Sequence, residues 1–228
     1  MNIWIHALAV GTDRQLARGP GGDYQPKWSP DGTKLVFFSA RAGNSDIWLA
    51  DVASGELTQL TTSPWLDIHP SFSRDGQRIA FQSDRQGRME VWVMNADGTE
   101  QHAVTSIGMA PSHFVPWTAD GNSLFFRAAG AGPPAPMRVR LADGTVEATT
   151  VQGGAHMSFN PDHTRIADVV GHQRIWISPI SGEKPYEAFS FDDPEVRIDY
   201  PVWSPDGHWI LFDRWAPQGG DIWLVEWR

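Results

Sequence analysis

Trp28-Ser29-Pro30-Asp31-Gly32-Thr33-Lys34-Leu35-Val36-Phe37-Phe38 decides the fold. An aromatic residue leads into a tight polar turn, and the turn delivers the chain into a short apolar run. The five-residue head recurs as Phe72-Ser73-Arg74-Asp75-Gly76, Trp117-Thr118-Ala119-Asp120-Gly121, Phe159-Asn160-Pro161-Asp162-His163 and Trp203-Ser204-Pro205-Asp206-Gly207. The lead aromatics stand 44, 45, 42 and 44 residues apart, a period of propeller blades and helical arrays.

The segments between the cassettes select the propeller. Each turn is followed by an apolar run: Lys34-Leu35-Val36-Phe37-Phe38, Arg78-Ile79-Ala80-Phe81, Ser123-Leu124-Phe125-Phe126, Arg165-Ile166-Ala167 and Trp209-Ile210-Leu211-Phe212. A second run comes next, as in Asp46-Ile47-Trp48-Leu49 and Asp221-Ile222-Trp223-Leu224, and then a weaker third such as Leu57-Thr58-Gln59-Leu60-Thr61. Short β-branched and aromatic runs bounded by Gly, Pro and Asp are strands, and no 3.6-residue period competes with them. Four strands per period make one blade of an all-β propeller.

This repeat resembles the TolB-type propeller, a relative of the WD and Kelch families. The resemblance is carried by Pro26 to Gly32 with Ser39-Ala40-Arg41-Ala42-Gly43, and by Pro70 to Gly76 with Ser83-Asp84-Arg85-Gln86-Gly87. It spans nearly the whole chain. The repeat occurs in translocation proteins, peptidase propellers and lyases alike, so it implies a fold before it implies an activity. For TolB-like proteins it implies protein partners that insert a strand or tail at the channel mouth. The α/β domain that accompanies that propeller has no counterpart in these residues, so the Tol role is not carried over.

The blades are expected at about 26–66, 70–110, 115–152 and 157–198, with a closing blade from 201–228 plus 1–20, all within a single propeller domain, 1–228. Shifting the N-terminus by 44 residues aligns Ile3-Trp4-Ile5 with Ile47-Trp48-Leu49. The chain therefore opens with the two outer strands of a blade and closes with a third strand. Five blades with a spare strand at the seam are favoured, against six positions with one blade incomplete. An unpaired edge at the seam offers a route to a homodimer, and hence to an assembly role.

Composition sets further bounds. The 228 residues carry 41% hydrophobic content and 12 Trp, enough for a large core without staples. No 18-residue apolar run exists, so no membrane-spanning helix is expected. There is no Cys, which excludes thiol chemistry, and the net charge of -9 argues against a nucleic-acid partner. Residues Met1 to Val10 lack a basic leader and read as a strand. A cytoplasmic location follows if the chain is complete, a periplasmic one if a leader has been removed.

The cassettes recur at one structural position, as turn chemistry does and a catalytic acid does not. The variable positions are more informative. Three places before the cassette aromatic stand Gln25, His69, Phe114, His156 and Tyr200, with His113 one place earlier in its blade. On an inner strand these positions face one mouth of a channel, where Tyr24, Asp67 and Asp199 join them. His69, His113 and His156 are therefore candidate ligands for a divalent metal. The alternative is a polar, water-filled channel whose imidazoles hydrogen-bond neighbouring loops.

Arg41, Arg85, Arg127 and Arg214 are expected in the loops joining second and third strands, where guanidinium forks suit a small anionic ligand. Ser-x-Arg-x-Gly belongs to the repeat, so Arg41 and Arg85 also read as braces between loops. Ala128 to Pro136 and Arg214 to Gly220 depart most from the repeat and are expected to be specificity loops. Trp65, just before the His69 strand, is placed to stack on a ligand or anchor a peptide.

No Gly-x-Ser-x-Gly elbow, His-Glu-x-x-His, phosphate loop or dinucleotide fingerprint is present. The leading expectation is a non-catalytic binding module with Tyr24, Gln25, Trp65, His69, His113, His156, Tyr200 and Arg214 at its ligand face. Its partner is expected to be a protein or peptide. A lyase or hydrolase using the channel imidazoles and a metal is the alternative.

Overall fold

The computed structural model describes residues 3–7, 12–108, 115–128, 135–149, 156–204, 206–217 and 219–226. Among these the chain is all-β. No helix among the described residues is long and apolar enough to cross a membrane. The expected candidate His113 lies outside the described residues, as do 129–134 of the Ala128–Pro136 segment.

Two compact units divide at Gly108. The first contains β1 (Ile3–Ala7) and β2 (Thr12–Ala17), paired as a two-stranded sheet. Two four-stranded antiparallel sheets come after it. One is β3 (Asp23–Trp28), β4 (Lys34–Ser39), β5 (Asp46–Asp51) and β6 (Leu57–Gln59). The other is β7 (Asp67–Phe72), β8 (Arg78–Ser83), β9 (Glu90–Asn95) and β10 (His102–Ala103). Each is a meander in which sequence neighbours pair.

The second unit has three sheets. β11 (Ser123–Ala128), β12 (Ala135–Arg140) and β13 (Val146–Ala148) form the first. Among the described residues Trp117 bridges to Leu124 and the Phe125 amide donates to the Pro116 carbonyl at 3.0 Å on the inner side of β11, with 109–114 outside the described residues. β14 (Met157–Phe159), β15 (Arg165–Val170), β16 (Arg174–Pro179) and β17 (Tyr186–Ser190) form a complete blade. β18 (Arg197–Trp203), β19 (Trp209–Ala216) and β20 (Gly219–Glu226) form a three-stranded sheet.

The cassettes make the turns that were expected of them. Ser29 Oγ donates to Asp31 Oδ1 at 2.6 Å and accepts from the Lys34 amide at 2.9 Å, while Asp31 Oδ1 also accepts from the Thr33 amide at 3.0 Å. The same lock recurs with Ser73 and Asp75, Thr118 and Asp120, and Ser204 and Asp206. In the fourth cassette Asn160 Oδ1 replaces the hydroxyl, accepting from the Arg165 amide at 2.8 Å. His163 there takes the left-handed φ of 57° that glycine supplies elsewhere, and its ring stacks on Phe159 at 4.9 Å.

The second strands β4, β8, β11 and β15 are buried on both faces, whereas β19 alternates between buried and exposed positions. Val36, Ile47 and Leu49 pack with Ile79, Phe81 and Met94 between the two four-stranded sheets of the first unit. Leu35, Phe37 and Ala50 pack on the other side with Ile3, Leu16 and Ala17 of β1 and β2. In the second unit Ala167, Ile175 and Ile177 pack with Ile198, Ile210 and Phe212. Burying such runs at roughly 25 cal/mol per Å² is the main force holding blade to blade.

Two expectations about loops are corrected. Arg127 lies in β11 and Arg214 in β19, within strands rather than in the loops after them. Arg214 to Gly220 is not a long loop, because Trp215 pairs with Gly220 and Ala216 with Gly219 at the end of the β19–β20 ladder. Strand pairing has overridden the loop signal of Pro217 and the two glycines.

Candidate functional site

In the first unit, β3 and β7 each begin with a buried carboxylate, Asp23 and Asp67. Arg41, in the β4–β5 turn, pairs with Asp23, and its guanidinium lies over the rings of Phe37 and Trp48. Arg85 grips Asp67 with two donors, at 3.2 and 2.7 Å, lies 4.8 Å from the Trp92 ring and donates to Gln101 at 2.7 Å. These two arginines therefore brace the loops, and their charges are committed to carboxylates.

Two residues further on, both strands bulge. The pairing register skips from Tyr24 to Lys27 and from Ile68 to Ser71, leaving Gln25-Pro26 and His69-Pro70 outside the ladder. Proline has no amide to lose there. Gln25 and His69 take left-handed φ values of 50° and 56°, which cost a non-glycine residue roughly 1 kcal/mol or more each. The bulge re-aims both side chains, and His69 Nδ1 donates to Gln25 Oε1. Because an amide oxygen only accepts, the proton sits on Nδ1.

An aromatic row continues from this pair. Phe38 stacks on Tyr24 at 5.3 Å and meets His69 edge-on at 5.4 Å. Gly22 allows it: a Cβ there would stand 2.6 Å from the Tyr24 hydroxyl. Trp65 is exposed on a pinned loop just before β7, since Asn44 Nδ2 donates to the carbonyls of Ser63 and Trp65 at 2.7 and 2.9 Å.

The second unit repeats the bulge and changes the chemistry. In β18 the register skips from Asp199 to Val202, and Tyr200 takes φ 51°. Its ring stacks on that of buried His156 at 4.1 Å. His156 Nδ1 donates to Asp199 Oδ1 at 2.8 Å, and His172 Nδ1 reaches the same oxygen at 2.9 Å. The Asp199 amide donates to Asp213 Oδ1 at 2.9 Å. Desolvation, reinforced by Asp199 and Asp213, pushes the Tyr200 hydroxyl above its ordinary pKa. Arg214 lies with its guanidinium 5.4 Å from the Phe191 ring.

Sequence reasoning named Tyr24, Gln25, Trp65 and His69, and the structure brings Tyr24, Gln25 and His69 into one row, with Trp65 on the loop leading into β7. It also named His156 and Tyr200, which touch. His172 was missed, because it replaces the arginine loop of other blades with Gly171-His172-Gln173 and carries no repeat signature. A left-handed φ of 58° aims it back at Asp199.

Among the described residues no group of three or more His, Asp or Glu is arranged to hold a metal ion. His156 and His172 both turn Nδ1 to Asp199 instead. Of the expected metal set, His69 belongs to the first unit, His156 to the second, and His113 lies outside the described residues.

The family model of the TolB beta propeller domain matches residues 1–115. An uncharacterized peptidase of Bacillus subtilis, YuxL, is 27% identical over 213 residues, 92% of this chain and 24% of the relative. The chain thus spans about a quarter of that protein's length. TolB from Acinetobacter baumannii superposes with a TM-score of 0.79 at 20% identity, covering 99% of this chain and 57% of TolB. An oligogalacturonate lyase in complex with manganese gives 0.70 at 18% identity, covering 99% of this chain and 69% of the lyase. At these identities the solved structures establish the fold.

Proposed function

The chain belongs to the TolB beta propeller family, and on that premise we propose that it is a non-catalytic binding module for a protein or extended peptide. The observation that carries this reading is the repeated bulge. Three inner strands hold Gln25, His69 and Tyr200 in left-handed backbone, a strained and rigid way to display side chains that differ from blade to blade. Tyr24, Trp65 and Tyr200, in or just before these strands, are exposed aromatics, the residue type that anchors partners.

The polar groups at the bulges are already joined to one another. His69 is held by Gln25, and His156 and His172 share Asp199. Such pairs orient donors and acceptors for recognition. A partner with a basic or amide-rich segment suits Asp199 and Asp213, and the overall charge of -9 favours the same sign of partner.

Comparative affinity capture with quantitative mass spectrometry tests the reading, using the full chain beside a His69→Gly/Tyr200→Gly variant. A protein enriched on the parent and lost on the folded variant supports it. Equal enrichment on both would refute it.

A metal-dependent lyase or hydrolase is the second reading, favoured by the manganese-bound lyase among the structural neighbours. It needs ligands beyond the described residues, with His113 as the first candidate. Stoichiometric manganese or zinc in chelator-free protein, lost in His113→Ala, would move the function to this class.

A further inference from the structure

A cavity of about 180 Å³ lies between the β11–β13 and β14–β17 sheets of the second unit. Phe125, Ile166 and Ile180 pack together as its apolar floor. Arg138, Thr149 and Ser178 give it a polar wall, and exposed Ala148 and Gly182 stand at its rim.

The corresponding position in the first unit is solid apolar core. Strand pairing aligns the repeats there: Phe125 pairs with Arg138 as Val36 pairs with Leu49, and Ile166 pairs with Ser178 as Ile79 pairs with Met94. The Thr149 amide donates to the Pro136 carbonyl at 3.3 Å, as the Leu60 amide donates to that of Ile47 at 2.8 Å. Leu49, Leu60 and Met94 therefore occupy the places of Arg138, Thr149 and Ser178, and they pack with Val36 and Ile79 in one buried cluster. The remaining sheets are apolar at these places too, with Val93, Ile177 and Leu224 matching Arg138, and Ala50, Val139 and Val225 matching Ser178. Three exchanges from apolar to polar converge on one cavity.

Ser178 is 1% exposed, and its Oγ has no hydrogen-bond partner among the described residues. Residues paired directly across a ladder share a face, so its side chain points with Ile166 toward Phe125. A buried hydroxyl left without a partner is unfavourable, and an acceptor in the cavity would satisfy it. Arg138 Nη2 donates to Glu147 Oε2 at 2.7 Å, which uses one of the five donors a guanidinium carries. Arg140 shares Glu147 at 2.6 Å and also donates to Asp143 at 3.0 Å. Arg138 thus holds part of one carboxylate and keeps donors for another.

We propose that this cavity binds a small monocarboxylate with a single ring or a branched aliphatic body. The body lies against Phe125, Ile166 and Ile180, and the carboxylate oxygens accept from Arg138 and Ser178. Size sets the limit, since an apolar cavity of roughly 150 Å³ is enough to hold benzene. None of the bulge residues takes part, so the site stands or falls independently of a protein partner.

Sodium benzoate and sodium isovalerate are the probes, each titrated into the full chain and followed by NMR. Saturable shifts of the Ile166 and Ile180 methyl groups are expected with at least one of them. Benzyl alcohol, which keeps the ring and drops the charge, should bind about tenfold more weakly than benzoate, and Arg138→Leu should weaken the carboxylate by a similar factor. Ser178→Ala should weaken it severalfold. Ser178→Met, which restores the Met94 pattern, should abolish binding and raise the melting temperature by filling the cavity. Circular dichroism checks the fold of each variant. Saturable binding by neither carboxylate overturns the proposal, as does binding indifferent to both Arg138→Leu and Ser178→Ala. Equal binding of benzyl alcohol and benzoate also overturns it, because the cavity would then select an apolar body without its charge.

Discussion

Ser63 Oγ donates to Asp67 Oδ2 at 3.1 Å, and one repeat earlier the equivalent position is Gly19, which has no side chain to offer Asp23. Asp23 Oδ2 is buried and has no hydrogen-bond partner among the described residues. Gly19-Pro20 aligns with Ser63-Pro64, and a Cβ at Gly19 would meet only the Arg41 side chain, at 3.5 Å or more. Gly19→Ser is therefore expected to stabilise the protein by about 1 kcal/mol, from the restored bond and a less flexible unfolded chain. Chemical denaturation should show a higher midpoint at unchanged slope.

Breaking the second of these pairs should be costly. Asp67 is fully buried and Arg85 holds it through two donors. Asp67→Ala would strand the guanidinium, with an expected loss of about 3 kcal/mol. Adding Arg85→Met should recover part of it. A double variant no better than the single one would show that the cost lies in packing rather than charge.

Backbone strain at the bulges separates stability from recognition. His69→Gly and Tyr200→Gly relieve left-handed φ at the expense of side-chain contacts, so their stabilities should stay within about 1 kcal/mol of the parent. His69→Val, β-branched at φ 56°, should lose about 2 kcal/mol. Thermal melts of the three variants check the order.

Acid should unlock the cassettes. Asp31 is lowered to about 2, chiefly by the Ser29 hydroxyl, and Asp75, Asp120 and Asp206 are lowered by Ser73, Thr118 and Ser204. Asp162 is lowered by Thr164 first. A carboxylate whose folded pKa is depressed contributes stability that is present above its unfolded value, near 3.9, and is lost as pH falls through the folded value. Stability should thus decline from about pH 4 toward pH 2, and Asp31→Asn should flatten that decline. A pH series of denaturant midpoints reads it directly.

Tyr200 reports on its carboxylate neighbours. Its hydroxyl is raised by desolvation first, then by Asp199 and Asp213. Asp199→Asn should bring its titration closer to the ordinary phenolic value. With only three Tyr in the chain, absorbance at alkaline pH resolves the change. An unaltered curve would leave the effect to burial and Asp213.

The turns and strands were legible because their causes are local: hydroxyl, carboxylate and glycine within five residues dictate the cassette, and apolar alternation dictates the strand after it. The bulges were not. Gln25, His69 and Tyr200 are poor formers of left-handed backbone, and only the proline after each and the pairing across the sheet impose it. Asp199 as the shared partner of His156 and His172 was equally hidden, since the three lie on segments 16 and 27 residues apart with no common spacing.

The sequential pairing of β3 through β6, and of β7 through β10, has a kinetic meaning. Every ladder in these sheets joins strands adjacent along the chain, so loop closure is short and each meander can zip up from its own cassette. Opening should run along the same grain. Amides in one sheet would exchange with solvent together and ahead of the next, making a single blade the quantum of local unfolding and of proteolytic access.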